Sequence, residues 1–498
     1  MRCAHAVDWV RAAEGELMAR LPEGTLMQRA AAGLAACCVE LLVGGRQGRV
    51  RGSRVLVLVG SGDNGGDALY AAARLARRGA RVRAALLAPP ERTHAGGLAA
   101  LLAAGGRTTD DPAEAASADL VLDGIVGIGG RGPLREAALP WVDAAQAGEA
   151  LVVAVDLPSG VDPETGAVPG RAVQADVTVT FGTHKPGLLV DPGASHAGVV
   201  RLVDIGLPVA PEAGDHVVEA LQHADVAALL PEPEAESDKY RRGVVGIAAG
   251  SARYPGAAVL AVGSALRGGC GAVRYVGAAG ADVVRAHPEA LVGDGGPADA
   301  GRVQAWVVGP GLSQDTDAER AVTEALAAEV PVLVDADGLR LLARRGSAPA
   351  NALLTPHAGE AVALLAGVGV TATREEVEGE RLRYARMLAR AYGCTVLLKG
   401  STTVVTGPEG PARVNPTGTA QLATAGSGDV LAGLAGALLA AGLAPRDAGS
   451  VAAYLHGLAG RISSGGAPTC ATAITAALPE AWRSVIAGDT DDGIPPFR

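Results

Sequence analysis

Cysteine is scarce and scattered: Cys3, Cys37, Cys38, Cys270, Cys394 and Cys470 include no CxxC pair. That spacing supports neither a disulfide framework nor a zinc site, and free, mostly buried thiols are expected. Lysine is scarcer still, because of 43 basic residues only Lys185, Lys239 and Lys399 are lysines. A bias toward arginine spares lysine where a compact ammonium is wanted, with chance retention as the alternative. Positive charge is in deficit as a whole. The net charge of −10 argues against a nucleic-acid partner but leaves room for small anionic ligands in local pockets. No uninterrupted apolar run is long enough to cross a bilayer, and the start MRCAHAVDWVRAAEGE lacks a signal-peptide pattern. The expectation is a cytoplasmic protein without a membrane partner. There is also no short-period repeat and no low-complexity tract.

What is present is apolar and long. Hydrophobic residues make up 49% of 498 residues, enough for well-packed domains and too many residues for one ordinary core. Residues 26–43 have helical spacing. Buried strands are expected at 54–59, 81–87, 119–123, 151–157, 176–181 and 199–205, alternating with helices. That alternation predicts a mostly parallel sheet covered on both faces. Residues 208–236, rich in proline, alanine and acids, read as the junction, with one short helical piece at 224–230. A second α/β pattern follows, with strands at 244–249, 273–276, 305–308, 330–334, 352–354 and 395–398. The fold class is therefore α/β, two three-layer α/β/α domains over 1–214 and 222–498.

In the first half, the strand RVLVLV opens into Gly60-Ser61-Gly62-Asp63-Asn64-Gly65-Gly66-Asp67, a G-x-G-x-x-G run. It is only half of a dinucleotide fingerprint. The ribose-binding acid expected about 20 residues on is missing, so a hydride-transfer enzyme is disfavoured. Asp123 to Gly130 and Asp156 to Gly160 follow further strands. Loop chemistry alone accounts for each. Three polar motifs at one sheet edge favour a ligand site, since such sheets bind at strand carboxyl ends.

In the second half, Ala425-Gly426-Ser427-Gly428-Asp429 leads into a long apolar helix. Small residues at a helix start let N–H groups converge on an anion, and Asp429 beside them can accept a hydroxyl proton. Helix capping is the plainer role for Asp429. Gly309-Pro310-Gly311 permits close ligand approach. His357-Ala358-Gly359-Glu360 starts a helix, as many proline-led acidic turns do. Lys399 to Thr403 offers an ammonium, hydroxyls and free N–H groups for a nucleotide. Asp335 and Asp337 suit magnesium, a substrate hydroxyl or capping.

These motifs carry a resemblance. KYRRG, GPG, VDADGL, TPHAGE, LLKGST, AGSGDVLAG and YLHG make residues 225–498 similar to the ADP/ATP-dependent NAD(P)H-hydrate dehydratases of the ribokinase-like superfamily. LMQRAAAG, GDNGGDA, the Asp123 loop, DLPSGVD and TFGTHKPG make residues 1–210 resemble NAD(P)H-hydrate epimerases, with a Rossmann-like domain. The order of the two resembles the bacterial bifunctional repair family.

The resemblance implies a substrate, NAD(P)HX, that is NADH or NADPH hydrated across the nicotinamide C5–C6 bond. One half would interconvert the R and S forms at C6, and the other would dehydrate the S form using ADP or ATP as co-substrate. It implies Asp429 as base, an anion hole of Gly426, Ser427 and Gly428, nucleotide contacts from Lys399, Gly400, Ser401, Thr402 and Thr403, and hydrate contacts from Gly311 and His357. Mg2+ is implied near Glu360. For the epimerase it implies K+ at Asn64, Asp123 and Ser159. The hydrate would lie against Asn64, Gly65, Gly66, Asp67, Ala68, Gly127, Ile128, Gly129, Gly130, Arg131, Gly132, Pro133 and Asp156. Asp156 is the expected proton-transfer group, Lys185 its electrostatic partner, and a homo-oligomer the expected assembly. Asp63, Ala68, Thr419 and Ala425 depart from the usual family residues. Two other readings stay open: a small-molecule kinase of the hydroxyethylthiazole or pyridoxal type, and a first half that serves only as a binding scaffold. His357 in place of the kinase asparagine, and the retained Asn64, Asp123 and Asp156, speak against them.

Overall fold

The computed structural model describes residues 1–46, 48–208, 214 and 217–488. They divide into two compact units, the first containing residues 3–208 and the second residues 1–2, 214 and 217–488. The expected junction at 208–236 falls partly outside the described residues, at 209–213 and 215–216.

In the first unit, Arg54–Val59 shows how the layers arise. Val55, Val57 and Val59 enter one hydrophobic cluster, while Leu56 and Leu58 enter another. A strand apolar on both sides must be covered on both sides, as in parallel sheets. Helices Thr25–Gly44 and Asp63–Arg77 supply the first cover and Leu139–Ala147 the second. The sheet runs Arg107–Thr108, Arg81–Leu86, Arg54–Val59, Leu120–Gly124, Leu151–Val155, Val177–Phe181, Val199–Val203, parallel throughout. Chain order reverses at Arg54–Val59, between Arg81–Leu86 and Leu120–Gly124. A crevice opens at the carboxyl ends of such a switch point, and three polar motifs sit there.

Helix Thr25–Gly44 is long and apolar enough to cross a bilayer by length and composition. Gln28, Arg29 and Glu40 interrupt its apolar run, which is why a search for unbroken runs passes over it. Its Leu26, Ala30, Ala31, Leu34, Cys38 and Leu42 belong to the core of the first unit.

The second unit's sheet passes from Val217–Ala220 through Ala412–Asn415, Thr403–Thr406, Thr395–Leu398, Ala352–Leu354, Val332–Val334, Ala305–Val308, Val244–Ala248 and Ala272–Val276 to Leu291–Gly293. Thr403–Thr406 is antiparallel to both Thr395–Leu398 and Ala412–Asn415, and the other pairs are parallel. Among the strands that escape the sequence reading are Leu291–Gly293, Thr403–Thr406, Ala412–Asn415 and Val217–Ala220. With three or four residues each, they show little periodicity. The last lies ahead of the expected domain start at 222, and its Val218 and Glu219 pair with Ala412 and Arg413. Glu219 is clamped there by Arg413 at 3.0 Å.

Helix Ser427–Ala440 lies deep in this unit. A side chain at Gly433 would run into the Ala261 carbonyl, and one at Gly436 into Val307. Those two glycines let the helix close on Pro255–Arg267 and on the sheet, so its N-terminus is held rigidly.

Candidate active sites

A cleft of about 880 Å³ opens at the switch point of the first unit. The glycine run makes its shape possible. Gly60 lies so close to the Ile125 carbonyl that no side chain fits, and Gly62, at φ 94°, turns the chain into helix Asp63–Arg77. Asn64, Asp67, all of Gly127 to Pro133, and Asp156 line the cleft. Gly65, Gly66 and Ala68 do not: they are buried on the packed side of the helix, Gly66 against His94 and Met27, and Ala68 against Gly124. Arg11, Glu14 and Met18 line the cleft from helix Val7–Met18, which sequence reasoning missed. The signal available was the apolar spacing of Val7 and Val10, the buried face of that helix.

Asp156 is strained and held. Its φ is +68°, a left-handed value uncommon outside glycine. Its Oδ1 accepts from Lys185 Nζ at 2.5 Å, Thr180 Oγ1 at 3.0 Å and the Phe181 N–H at 3.3 Å. Lys185 is 1% exposed, so one of the three lysines is an interior counter-charge for this carboxylate.

Asp123 and Ser159 stand behind the lining. Asp123 accepts from the Ser159 N–H at 2.8 Å, the Ser159 hydroxyl at 2.7 Å and the Ile125 N–H at 3.3 Å. Burial pushes its carboxyl up to about 6, with those hydrogen bonds opposing. No basic side chain is among those partners. Asn64 Nδ2 is buried without a partner among the described residues. Asp123, Ser159 and Asn64 carry carboxylate, hydroxyl and amide oxygens, hard donors of the kind that fit a potassium ion.

In the second unit, Lys399, Asp335, Glu360 and Asp429 gather around the start of helix Ser427–Ala440. Lys399 Nζ lies 2.7 Å from Asp335 Oδ1 and 3.8 Å from Glu360 Oε2. Burial works against the Lys399 charge, yet Asp335, Glu360 and Asp429 raise its pKa above the ordinary value. Asp429 is pushed up to about 6 by burial and by Asp335, with Lys399 opposing. The helix begins at Gly426, whose φ of +84° aims the next N–H groups outward. Gly309 is packed onto the Asp335 carbonyl, and Gly311, at φ +61°, lies close to Tyr254 and Ala257.

Lys399 to Thr402 form the turn of the hairpin joining Thr395–Leu398 to Thr403–Thr406, and Thr403 pairs in the sheet with Asn415. The structure therefore brings Lys399 to Asp429, while Gly400 packs against Arg381 and Thr402 is buried. His357 caps helix Ala358–Gly367, its Nδ1 accepting from the Gly359 and Glu360 N–H groups at 3.0 and 3.3 Å. Glu360 Oε2 accepts in return from the His357 N–H at 2.8 Å. Glu360 Oε2 is thus engaged in that capping box, with Lys399 Nζ 3.8 Å away. No group of three or more His, Cys, Asp or Glu among the described residues could hold a metal ion. His456, passed over as a site residue, is buried with its pKa lowered to about 4, chiefly by burial. The neutral ring pairs with Ser427 Oγ at 3.2 Å and pins the anion loop. The histidine within YLHG was the available signal.

Residues 23–187 match the family described as YjeF-related protein N-terminus, and residues 245–478 match NAD(P)H-hydrate dehydratase. The chain is 48% identical to the bifunctional NAD(P)H-hydrate repair enzyme Nnr of Mycobacterium leprae, over 95% of this chain and 97% of that one. It is 51% identical to the enzyme of the same name from Mycobacterium tuberculosis strain H37Rv, over 89% and 90%. Among solved structures it is similar to the ADP/ATP-dependent NAD(P)H-hydrate dehydratase of Bacillus subtilis co-crystallised with ATP and Mg2+. That likeness has 32% identity and a TM-score of 0.48, over 53% of this chain and 97% of that one. By its two family matches and its near full-length relatives, the chain belongs to the bifunctional NAD(P)H-hydrate repair enzymes.

Proposed function

We infer that this chain repairs NAD(P)HX in two steps, epimerisation at C6 by the first unit and ADP-dependent dehydration of the S form by the second. The observation that carries the reading is the presence of two unlike centres, each in its own unit. One is a cleft with a held carboxylate, Asp156, and the other a carboxylate beside a helix N-terminus and an ammonium. Hydroxide is a poor leaving group and phosphate a good one, so the dehydratase first phosphorylates the alcohol. Asp429 takes the proton of the C6 hydroxyl as its oxygen attacks the β-phosphorus of ADP, and AMP leaves. The N–H groups of Gly426 to Gly428 and the Lys399 ammonium hold the charge on the transferred phosphoryl group. Phosphate then departs with its bonding pair, C5 loses a proton, and the dihydronicotinamide is restored. Magnesium, arriving with the nucleotide, would neutralise phosphate charge. Gly311 and His357 border the hydrate.

In the epimerase, Asn64, Asp123 and Ser159 would hold potassium, which supplies fixed positive charge behind the glycine loop. Asp123→Ala is expected to weaken potassium activation and slow epimerisation, leaving the ADP-dependent rate on the S hydrate near parental. A potassium titration of both activities checks this, and an unchanged epimerase response removes the assignment.

The whole reading is tested with separated R and S hydrates, each given ADP or ATP, by following dihydronicotinamide absorbance. The S hydrate recovers directly and the R hydrate only after interconversion. A phosphorylated hydrate that accumulates without absorbance would make the second unit a kinase instead.

A further inference from the structure

We propose that Asp67 is the proton donor of the epimerisation, paired with Asp156 as the acceptor. The inference rests on the first unit being the epimerase. Both carboxyl groups line one cleft, in opposite surroundings. Asp156 has an ammonium, a hydroxyl and an N–H on Oδ1. Asp67 has no such support. Its Oδ1 is buried, and among the described residues it has no hydrogen-bond partner. The groups facing it are mostly acidic: Asp63 on its own helix, Asp156 at a strand end, and Glu14 from helix Val7–Met18. Burial first, then those three charges, push the Asp67 carboxyl well above the ordinary range, and Lys185 pulls the other way. Asp67 is also past the first turn of helix Asp63–Arg77, so capping does not account for it.

A buried carboxyl group with acidic neighbours, in one cleft with a carboxyl group held by an ammonium, is an acid–base pair set by environment. The substrate asks for one. C6 of the hydrate carries a hydroxyl and is bonded to N1, so it is a hemiaminal carbon. Asp156 takes the hydroxyl proton, the O–H pair becomes the second C–O bond, and the C6–N1 pair goes to N1. There the Asp67 proton lands. The ring is now an open aldehyde with an N–H group. Rotation about C5–C6 presents the other carbonyl face. N1 closes on it and returns its proton to Asp67, while Asp156 returns the other to oxygen. Nothing is gained or lost except configuration.

The test uses the full chain at saturating potassium, with R and S hydrates separated by chromatography and no ADP present. In the unmutated protein, epimerisation should decline on the alkaline side as Asp67 loses its proton. Asp67→Asn should lower kcat about 10²–10⁴-fold, the usual contribution of a positioned acid, and should lack that alkaline limb. The ADP-dependent rate on the S hydrate should match the parent, which reports an intact chain. Retained kcat with a raised KM would make Asp67 a binding contact only and overturn the proposal. An alkaline limb that persists in Asp67→Asn, or is missing from the parent, would overturn it too. If the unmutated protein fails to interconvert the hydrates, the epimerase reading itself falls.

Discussion

Asp429→Asn should abolish useful repair while leaving the protein folded and able to interconvert the two hydrates. Asparagine matches aspartate in size and capping ability, so helix Ser427–Ala440 keeps its start. The substitution removes the acceptor for the C6 hydroxyl proton, and dehydration should slow about 10²–10⁴-fold. Stability should not fall near neutral pH. Burial and Asp335 raise the Asp429 pKa to about 6, so the native state resists its ionisation. A folded pKa above the unfolded value means stability is lost as pH rises from the ordinary carboxylate range through about 6. Asparagine removes that loss. The same carboxyl must be ionised to act as a base, so the parental dehydration rate should fall as pH drops through about 6. ADP binding by calorimetry should survive in the mutant, and epimerisation should be unchanged because it occurs in the other unit. Dehydration at the parental rate would remove Asp429 as the base.

Lys399→Met should show two effects that a simple nucleotide contact would not. Lys399 is the counter-charge for Asp335, whose side chain is 2% exposed, and its own side chain is 19% exposed. Removing one partner of a buried pair typically costs about 3–5 kcal/mol, because the other charge is left uncompensated. Chemical unfolding should therefore show a less stable second unit, and ADP should be needed at higher concentration. The other effect is on pH. Lys399 holds the Asp429 pKa down against burial and Asp335, so without it that pKa moves above about 6. The acid limb of dehydration should shift to higher pH by the same amount. An unshifted limb would mean that Lys399 does not act on Asp429 and serves the nucleotide alone.

The chemistry-bearing residues were legible because they sit at strand ends and helix starts, where glycine-rich turns gather polar side chains and open backbone N–H groups. Asp123, Asp156, Lys399 and Asp429 were all visible in that way. Their roles were less so. Lys399 reads as part of a nucleotide loop, yet it lies in a hairpin turn against Asp335 and Glu360, because Thr403–Thr406 folds back on Thr395–Leu398. Gly65, Gly66 and Ala68 read as a ligand loop, but one helical turn carries them to the side packed against the core. The cleft wall made by Arg11 and Glu14 comes from a helix far from the motifs in sequence.

The alternation of apolar strands and helices, with one restart of the pattern, was enough for the α/β class and for two domains, because burial on both sheet faces demands it locally. Motif order was enough for the family. Tertiary contact alone decided which carboxylate has a cation beside it and which does not. Asp156 and Asp67 are the same residue type on neighbouring elements of one cleft. A lysine 29 positions away in sequence is hydrogen-bonded to the first, and a buried, acid-rich wall faces the second. Charge state depends on dielectric surroundings and on neighbours within a few ångströms, and the linear order of residues does not carry those distances.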